Sequence, residues 1–388
     1  MNRIAYVCAD PGIPPDGSKG ASVHFRSLAA AFARLGASLD VFVARDGDVR
    51  GLLPHRARTV PTPKARGLDG ELLQLGHAET MLQAMRAAGP HVAVYERLSL
   101  FGLAGLAHAQ TLGVPFLVEV NAPLWREAAA FRDLSLAAAA RGVCLDVLRH
   151  ATTVFAVSTP LADELAEAGV PRERLQVLGN GADLQHFRSA IPAMRPRALQ
   201  GKPVLLFLGS LKPWHGIPFL LRAFAALRAQ QPCGLWIVGD GPLRSEIEVA
   251  QRAFPGDIVH EGAVAHDAVP SLLQAADLVV APYGADAPAY FSPLKIVEAL
   301  AAGRPLLASA VPCVLDVLRG HAPLGLFAPD DVVDFVRAAR VVLAAGPAAA
   351  SHGIDPELVE ALDWTHKAST VLACARTAPR AAVEVARG

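Results

Sequence analysis

A diphosphate and a ribose could both be held by residues 292–298, SPLKIVE. Ser292 is the type of residue that caps a helix, Pro293 suits the first helical position and Gly303 supplies a left-handed stop, so a short helix begins there. Free N–H groups near Ser292 to Lys295, together with the helix dipole, make a ready anion site. Glu298 lies at the edge of the apolar arc formed by Leu294, Ile296, Val297, Leu300 and Ala301. Its carboxylate could accept both hydroxyls of a ribose while the amides hold the phosphates. The same pattern fits a solvated rim carboxylate on an ordinary strand–helix–strand unit, and the residues alone leave the two readings level.

The elements that must position this helix are legible as an alternation. Apolar runs of strand type fall at residues 4–9, 39–44, 92–95, 116–120 and 153–158, and helical spacing falls at 22–35, 71–88, 100–112 and over a long region ending at 150. Residues 45–70 show no regular pattern, and the Pro/Arg-rich stretch 191–203 reads as a linker. Beyond it, strands at 204–208, 235–238 and 258–261 and helices at 217–228 and 268–276 lead to a strand at 278–281. Such alternation predicts parallel sheets covered on both faces.

Ligands of these sheets bind outside the carboxyl ends of the strands. Glu96 and Arg97 follow one such end, and Glu119 with Asn121 closes another. A solvated strand end or a turn-forming Asn is the plainer reading of each pair, and for Glu96 it is preferred. The Gly-rich turn holding Lys19 and Gly20 either brings backbone close to a ligand or is only a tight turn. In GSLKPWHG, Lys212 is a phosphate cation or a solvated loop lysine, a core plug is the plainer reading of Trp214, and the residues alone do not choose.

With 388 residues, 52% of them hydrophobic, the chain can bury two cores of ordinary size. Lys plus Arg equals Asp plus Glu at 36 each, so no bulk charge points to nucleic acid or to an anionic membrane. The five cysteines are scattered and never form C-x-x-C, which predicts free core thiols in a reducing, cytoplasmic setting. The start MNRIAYVCAD lacks the pattern of a signal peptide, and no uncharged apolar run approaches membrane-spanning length. A transmembrane segment is therefore not expected, although peripheral membrane contact is compatible with the sequence. No D-x-D or His cluster calls for a metal.

Several spaced motifs resemble glycosyltransferase family 4, a retaining family of GT-B fold, over nearly the whole chain. The stretch around Glu298 resembles its donor-binding signature, two Glu flanking seven residues ahead of an apolar helix and a Gly. Glu298 matches the second Glu, Tyr290 stands in place of the first, and FSPLK resembles a variant of the motif. Asn180, Gly181, Asp183 and Phe187 resemble the boundary pattern N-G-x-D-x-x-x-F. Gly209 and Gly216 match the first loop of the second domain, where the family's Arg and Lys are replaced by Ser210 and His215. YERLS, EVNAPL and LDWTHKASTVLACA resemble further family segments, the last a helix crossing back onto the first domain.

The resemblance implies an α/β GT-B architecture, two Rossmann-like parallel-sheet domains facing across a cleft. Residues 1–182, with a crossing helix at 364–388, would take the acceptor side, and 183–363 would bind the donor. Gly20, Lys212, His215, Ser292, Pro293, Leu294, Lys295 and Glu298 would bind the donor. Glu119, Asn121 and Tyr290 would lie at the reacting sugar, and Arg97 on the acceptor or sugar side. The implied reaction moves a hexosyl or N-acetylhexosaminyl group from a nucleotide diphosphate sugar of UDP or GDP type to a glycan, a lipid-linked glycan or a small-molecule glycoside. No cofactor is required for it. A nucleotide-sugar 2-epimerase of the same fold and a non-catalytic sugar-nucleotide binding subunit are the alternatives.

Overall fold

The computed structural model describes residues 3–52, 54–346, 349 and 352–377. They fall into two compact units, one running to Gly179 and resuming at Trp364, the other spanning Asn180–Asp363. The boundary thus precedes Asn180 rather than following residue 182. Its cause is local, since Asn180 bonds Ser292 and the Ala182 N–H donates to the Leu362 carbonyl (2.9 Å). Residues 378–388 of the expected crossing helix lie outside the described residues.

The first unit is built on seven strands: β1 (Arg3–Cys8), β2 (Ser38–Val43), β3 (Arg56–Thr59), β4 (Ala93–Arg97), β5 (Phe116–Val120), β6 (Thr153–Ala156) and β7 (Leu175–Val177). All pairings are parallel, in the order β3-β2-β1-β4-β5-β6-β7. β4 and β5 are buried along their whole length, as strands covered on both faces must be. On one face Tyr6, Phe25, Phe32, Tyr95 and Leu117 join Trp364, Ala368, Val371 and Leu372 in a single core. The helices Gly20–Arg34 and Trp364–Thr377 supply that cover. Each Val, Leu or Phe side chain removed from water there contributes about 1.5 to 3 kcal/mol.

Six strands make the second sheet: β8 (Val204–Leu208), β9 (Gly234–Val238), β10 (Ile258–Glu261), β11 (Leu278–Ala281), β12 (Leu306–Ser309) and β13 (Leu326–Phe327). They run parallel in the order β10-β9-β8-β11-β12-β13. Period-two alternation splits β8 between two cores. Val204, Leu206 and Leu208 face one, Leu205 and Phe207 the other. The order reverses between β8 and β11, which makes the carboxyl ends of those two strands the place for a ligand in this unit.

Two sequence expectations change. Residues 45–70 are not without regular structure, because they contain β3 and a short 3-10 turn, Arg50–Leu52. The long helical region ending at 150 is two helices, Leu124–Phe131 and Ala137–His150. The break is held by the buried Glu71 carboxylate, which accepts from the Ser135 (2.8 Å) and Leu136 (2.6 Å) amides just ahead of the second helix. Among the described residues no helix is long and apolar enough to cross a membrane.

Candidate functional site

The SPLKIVE run leads into the helix Leu294–Ala301, directly after the loop that leaves β11. Ser292 is not its cap. Pro293 holds the cap position without a side-chain bond, and the Ser292 hydroxyl instead accepts from the Asn180 N–H (3.3 Å). The Asn180 side-chain amide also donates to the Ser292 carbonyl (2.7 Å), so the boundary motif fixes the start of this helix. The first intrahelical bond runs from the Ile296 N–H to the Pro293 carbonyl (3.1 Å), and the Leu294 and Lys295 amides precede it. Gly303, at φ 61, ends the turn in the left-handed region as its type predicts.

Glu298 is buried, with 6% exposure, which contradicts the solvated rim reading. Its Oε1 lies 2.8 Å from His266 Nε2. Phe187, the last residue of the boundary motif, meets the His266 ring edge-on at 6.3 Å. A carboxylate held this way keeps its second oxygen for another donor, since an ionised carboxylate offers about four lone-pair positions.

Lys295 does not reach out beside the helix start but folds back into the second unit. Its Nζ is buried with no hydrogen-bond partner, 4.0 Å from the centre of the Phe207 ring and 5.1 Å from that of Tyr283. A side chain at Gly209, the residue that follows β8, would meet Nζ at 3.4 Å. Burial, partly offset by Glu298, lowers the Lys295 pKa to about 7.

His215 takes the place of the family's loop lysine without taking its charge. Burial first, then the Lys295 charge, lower its pKa to about 3. Its Nδ1 lies 2.5 Å from the Ser210 carbonyl, which can only accept, so the neutral ring carries its proton on Nδ1. Lys212 is exposed, with Nζ 4.8 Å from the Trp214 ring centre, and Trp214 is half-buried rather than a core plug. Tyr290 is half-buried on the loop before the Leu294–Ala301 helix.

In the first unit the ladder register sets Arg97 beside Glu119, and the strand period puts Tyr95 on the same face as Arg97. Glu119 accepts from Arg97 Nη1 (2.6 Å), Tyr95 Oη (2.5 Å) and the Asn121 side-chain amide, and lies 2.9 Å from His24 Nε2. Burial works to raise its pKa, but His24, Arg97 and Tyr95 outweigh it and hold the carboxyl well below the usual range. Gly20 opens the helix that carries His24 one turn on, and His24 packs edge-on against Trp364 at 4.7 Å. A small recess lies at the carboxyl ends of β1, β4 and β5, where Asp10, Gln74, Leu100, Glu127 and Arg132 line it.

Glu96 is not the solvated strand end expected. It is 1% exposed, its carboxyl faces the Gly105 backbone, and burial pushes its pKa up to about 8. Ionised when unfolded above about pH 4.3 and neutral when folded, it draws stability down as pH rises from that value to about 8. Glu96→Gln should flatten this slope, which amounts to a few kcal/mol. A stability difference between Glu96→Gln and wild type that is the same at pH 5.5 and 7.5 would refute this account.

Sequence reasoning passed over His24, Tyr95 and the pairing of His266 with Glu298. The signal for Tyr95 was its position two residues before Arg97. A lone His carries none.

Residues 18–186 match the family described as Glycosyltransferase Family 4, and residues 202–345 the one described as Glycosyl transferases group 1. The alpha-D-kanosaminyltransferase of Streptomyces kanamyceticus is 26% identical over 216 residues, 52% of this chain and 54% of that relative. The chain thus spans about half the length of that curated relative. Sucrose-phosphate synthase from Thermosynechococcus elongatus superposes with a TM-score of 0.71 at 21% identity, covering 97% of this chain and 98% of its own. Anabaena HepE in complex with UDP gives 0.70 at 18% identity, covering 96% and 99%. These two structural likenesses speak to the fold.

Proposed function

The chain belongs to the family 4 glycosyltransferases, and on that premise we propose that it moves a sugar from a nucleoside diphosphate sugar to a sugar-bearing acceptor with retention of anomeric configuration. The observation that carries the reading is the helix Leu294–Ala301 beside the switch point between β8 and β11. It joins two amides ahead of the first helical bond, a buried lysine beside Gly209 and a buried carboxylate with spare acceptor capacity. Phosphate oxygens suit the amides, and the ribose hydroxyls suit Glu298. The helix dipole would also stabilise the diphosphate as it leaves, which is where charge develops.

UDP is the first nucleotide to test, because the HepE neighbour was solved with it, and GDP is the second. Glu119, Asn121 and Arg97 are the proposed sugar-side residues of the first unit, and Tyr290 is that of the second. The recess at Asp10 and Glu127 is the proposed acceptor side. A cytoplasmic setting is supported by five free cysteines.

Purified protein incubated with UDP- and GDP-sugars should raise its melting temperature with one nucleotide class and release that nucleotide when an acceptor is supplied. Proton NMR of the product should show the donor's anomeric configuration. Binding without turnover across a broad acceptor panel would return the reading to a sugar-nucleotide binding subunit. Lys212→Ala should weaken the nucleoside diphosphate by up to about fivefold, as for a solvent-exposed ion pair, and leave the nucleoside unchanged. Equal losses for both ligands would show that Lys212 touches no phosphate.

A further inference from the structure

The second unit buries an amine with no hydrogen-bond partner. Lys295 Nζ is enclosed by the Phe207 and Tyr283 rings, makes no hydrogen bond, and lies beside Gly209. Its own backbone amide stands at the start of the Leu294–Ala301 helix, so one residue presents both a helix-terminal N–H and a side-chain nitrogen. The loop after β8 supplies no buried cation of its own. His215 is neutral and bonded to the Ser210 carbonyl, and Lys212 is exposed over Trp214.

We propose that Lys295 is the buried cation for the donor diphosphate, and that it becomes charged on binding, taking one proton from solvent as the anion arrives. This rests on the nucleotide site proposed above. The proton comes from the buffer acid, forms an N–H bond with the Nζ lone pair, and leaves the buffer base behind.

The surroundings fit such a change. The groups that face Nζ are Glu298 on the same helix, which favours the charge, the neutral His215 from the loop after β8, and the Tyr283 phenol after β11, kept protonated by burial. Burial has already brought the amine to about 7, so above that pH most of it is neutral. An opposite charge within about 4 to 6 Å restores the charged form. The aromatic faces suit the ammonium once it forms. An uncharged resting state also avoids a buried charge with nothing to pair it.

The test is titration calorimetry of the whole protein with UDP and GDP at pH 8.0, in two buffers of different ionisation enthalpy. At that pH the terminal phosphate, whose pKa is near 6, is already ionised, so proton uptake reports the protein. Wild type should take up about 0.9 proton per nucleotide, and its affinity should fall about fivefold to tenfold between pH 7.5 and 8.5. Lys295→Met, which suits an aromatic enclosure, should fold at least as stably, bind tenfold or more weakly at pH 7 and take up no proton. Lys295→Arg should bind without uptake and without this pH dependence. Binding heat with no buffer dependence, or equal uptake by Lys295→Met, overturns the proton coupling while the nucleotide site stands. Absence of binding by either nucleotide removes the site and the coupling together.

Discussion

Replacing Glu119 by alanine should destabilise the protein by about 3 to 5 kcal/mol, because it leaves the Arg97 guanidinium buried without its partner. The loss is not the value of one salt bridge. Glu119 also takes the Tyr95 hydroxyl and the Asn121 amide and faces His24, so its removal orphans several buried donors together. Arg97→Met alone should be costly for the mirror reason, since it leaves the carboxylate short of a charge. The double variant Glu119→Ala with Arg97→Met should recover part of the loss, because neither buried charge is then unpaired. Urea denaturation gives the four corners of this cycle, and hydrogen exchange over Phe116–Val120 locates the damage. Strictly additive losses would show that the two groups are not coupled.

The same pair sets a pH dependence of opposite sense to that of Glu96. The folded pKa of Glu119 is depressed, so its contribution is fully present above the unfolded value of about 4.3 and is lost as pH falls below it. The Glu119 contribution should therefore fall on the acid side and the Glu96 contribution decline toward pH 8, each read as the difference between wild type and its glutamine variant. Glu119→Gln should remove the first limb and leave the second.

The sequence was most readable where one physical term dominates. β5, β8, β10 and β11 lie at the residues expected, because apolar runs bounded by turns have few other uses in an alternating chain. β3 and β7, the edge strands of the first sheet, escaped because RART and LQV are short and carry little apolar pattern. Their place is fixed by pairing to β2 and β6, a relation no local window contains.

Side chains followed a similar division. Gly303 is demanded by its own backbone angle, whereas the helical wheel left the burial of Glu298 open. The role of Ser292 was misread because a competing partner, Asn180, lies over a hundred positions away in sequence. Lys295 was assigned to the right helix through its amide, and the enclosure of its side chain went unread, since only the tertiary fold brings Phe207 and Tyr283 around it. Glu96 shows the opposite failure. A carboxylate at a strand end is usually solvated, and only the cover over Gly105 makes it buried.

Glu298→Ala should weaken the preferred nucleotide tenfold or more, the equivalent of about 1.5 to 3 kcal/mol for hydrogen bonds to a charged acceptor. The contact with His266 at 2.8 Å sharpens the test, because the alanine variant also frees a half-buried imidazole and affinity could fall through that route. Two controls separate the causes. His266→Ala removes the ring and keeps the carboxylate, so it should retain discrimination between the nucleotide and its 2′,3′-dideoxy form. Glu298→Ala keeps the ring and should lose that discrimination, since groups in direct contact give non-additive losses in a cycle. Wild type should prefer the hydroxyl-bearing nucleotide tenfold or more, because a site built to accept those hydrogens leaves a buried carboxylate oxygen unpaired when they are missing. If a folded Glu298→Ala protein discriminates as well as wild type, the carboxylate serves His266 alone, and the ribose lies elsewhere on the carboxyl edge of β8 and β11.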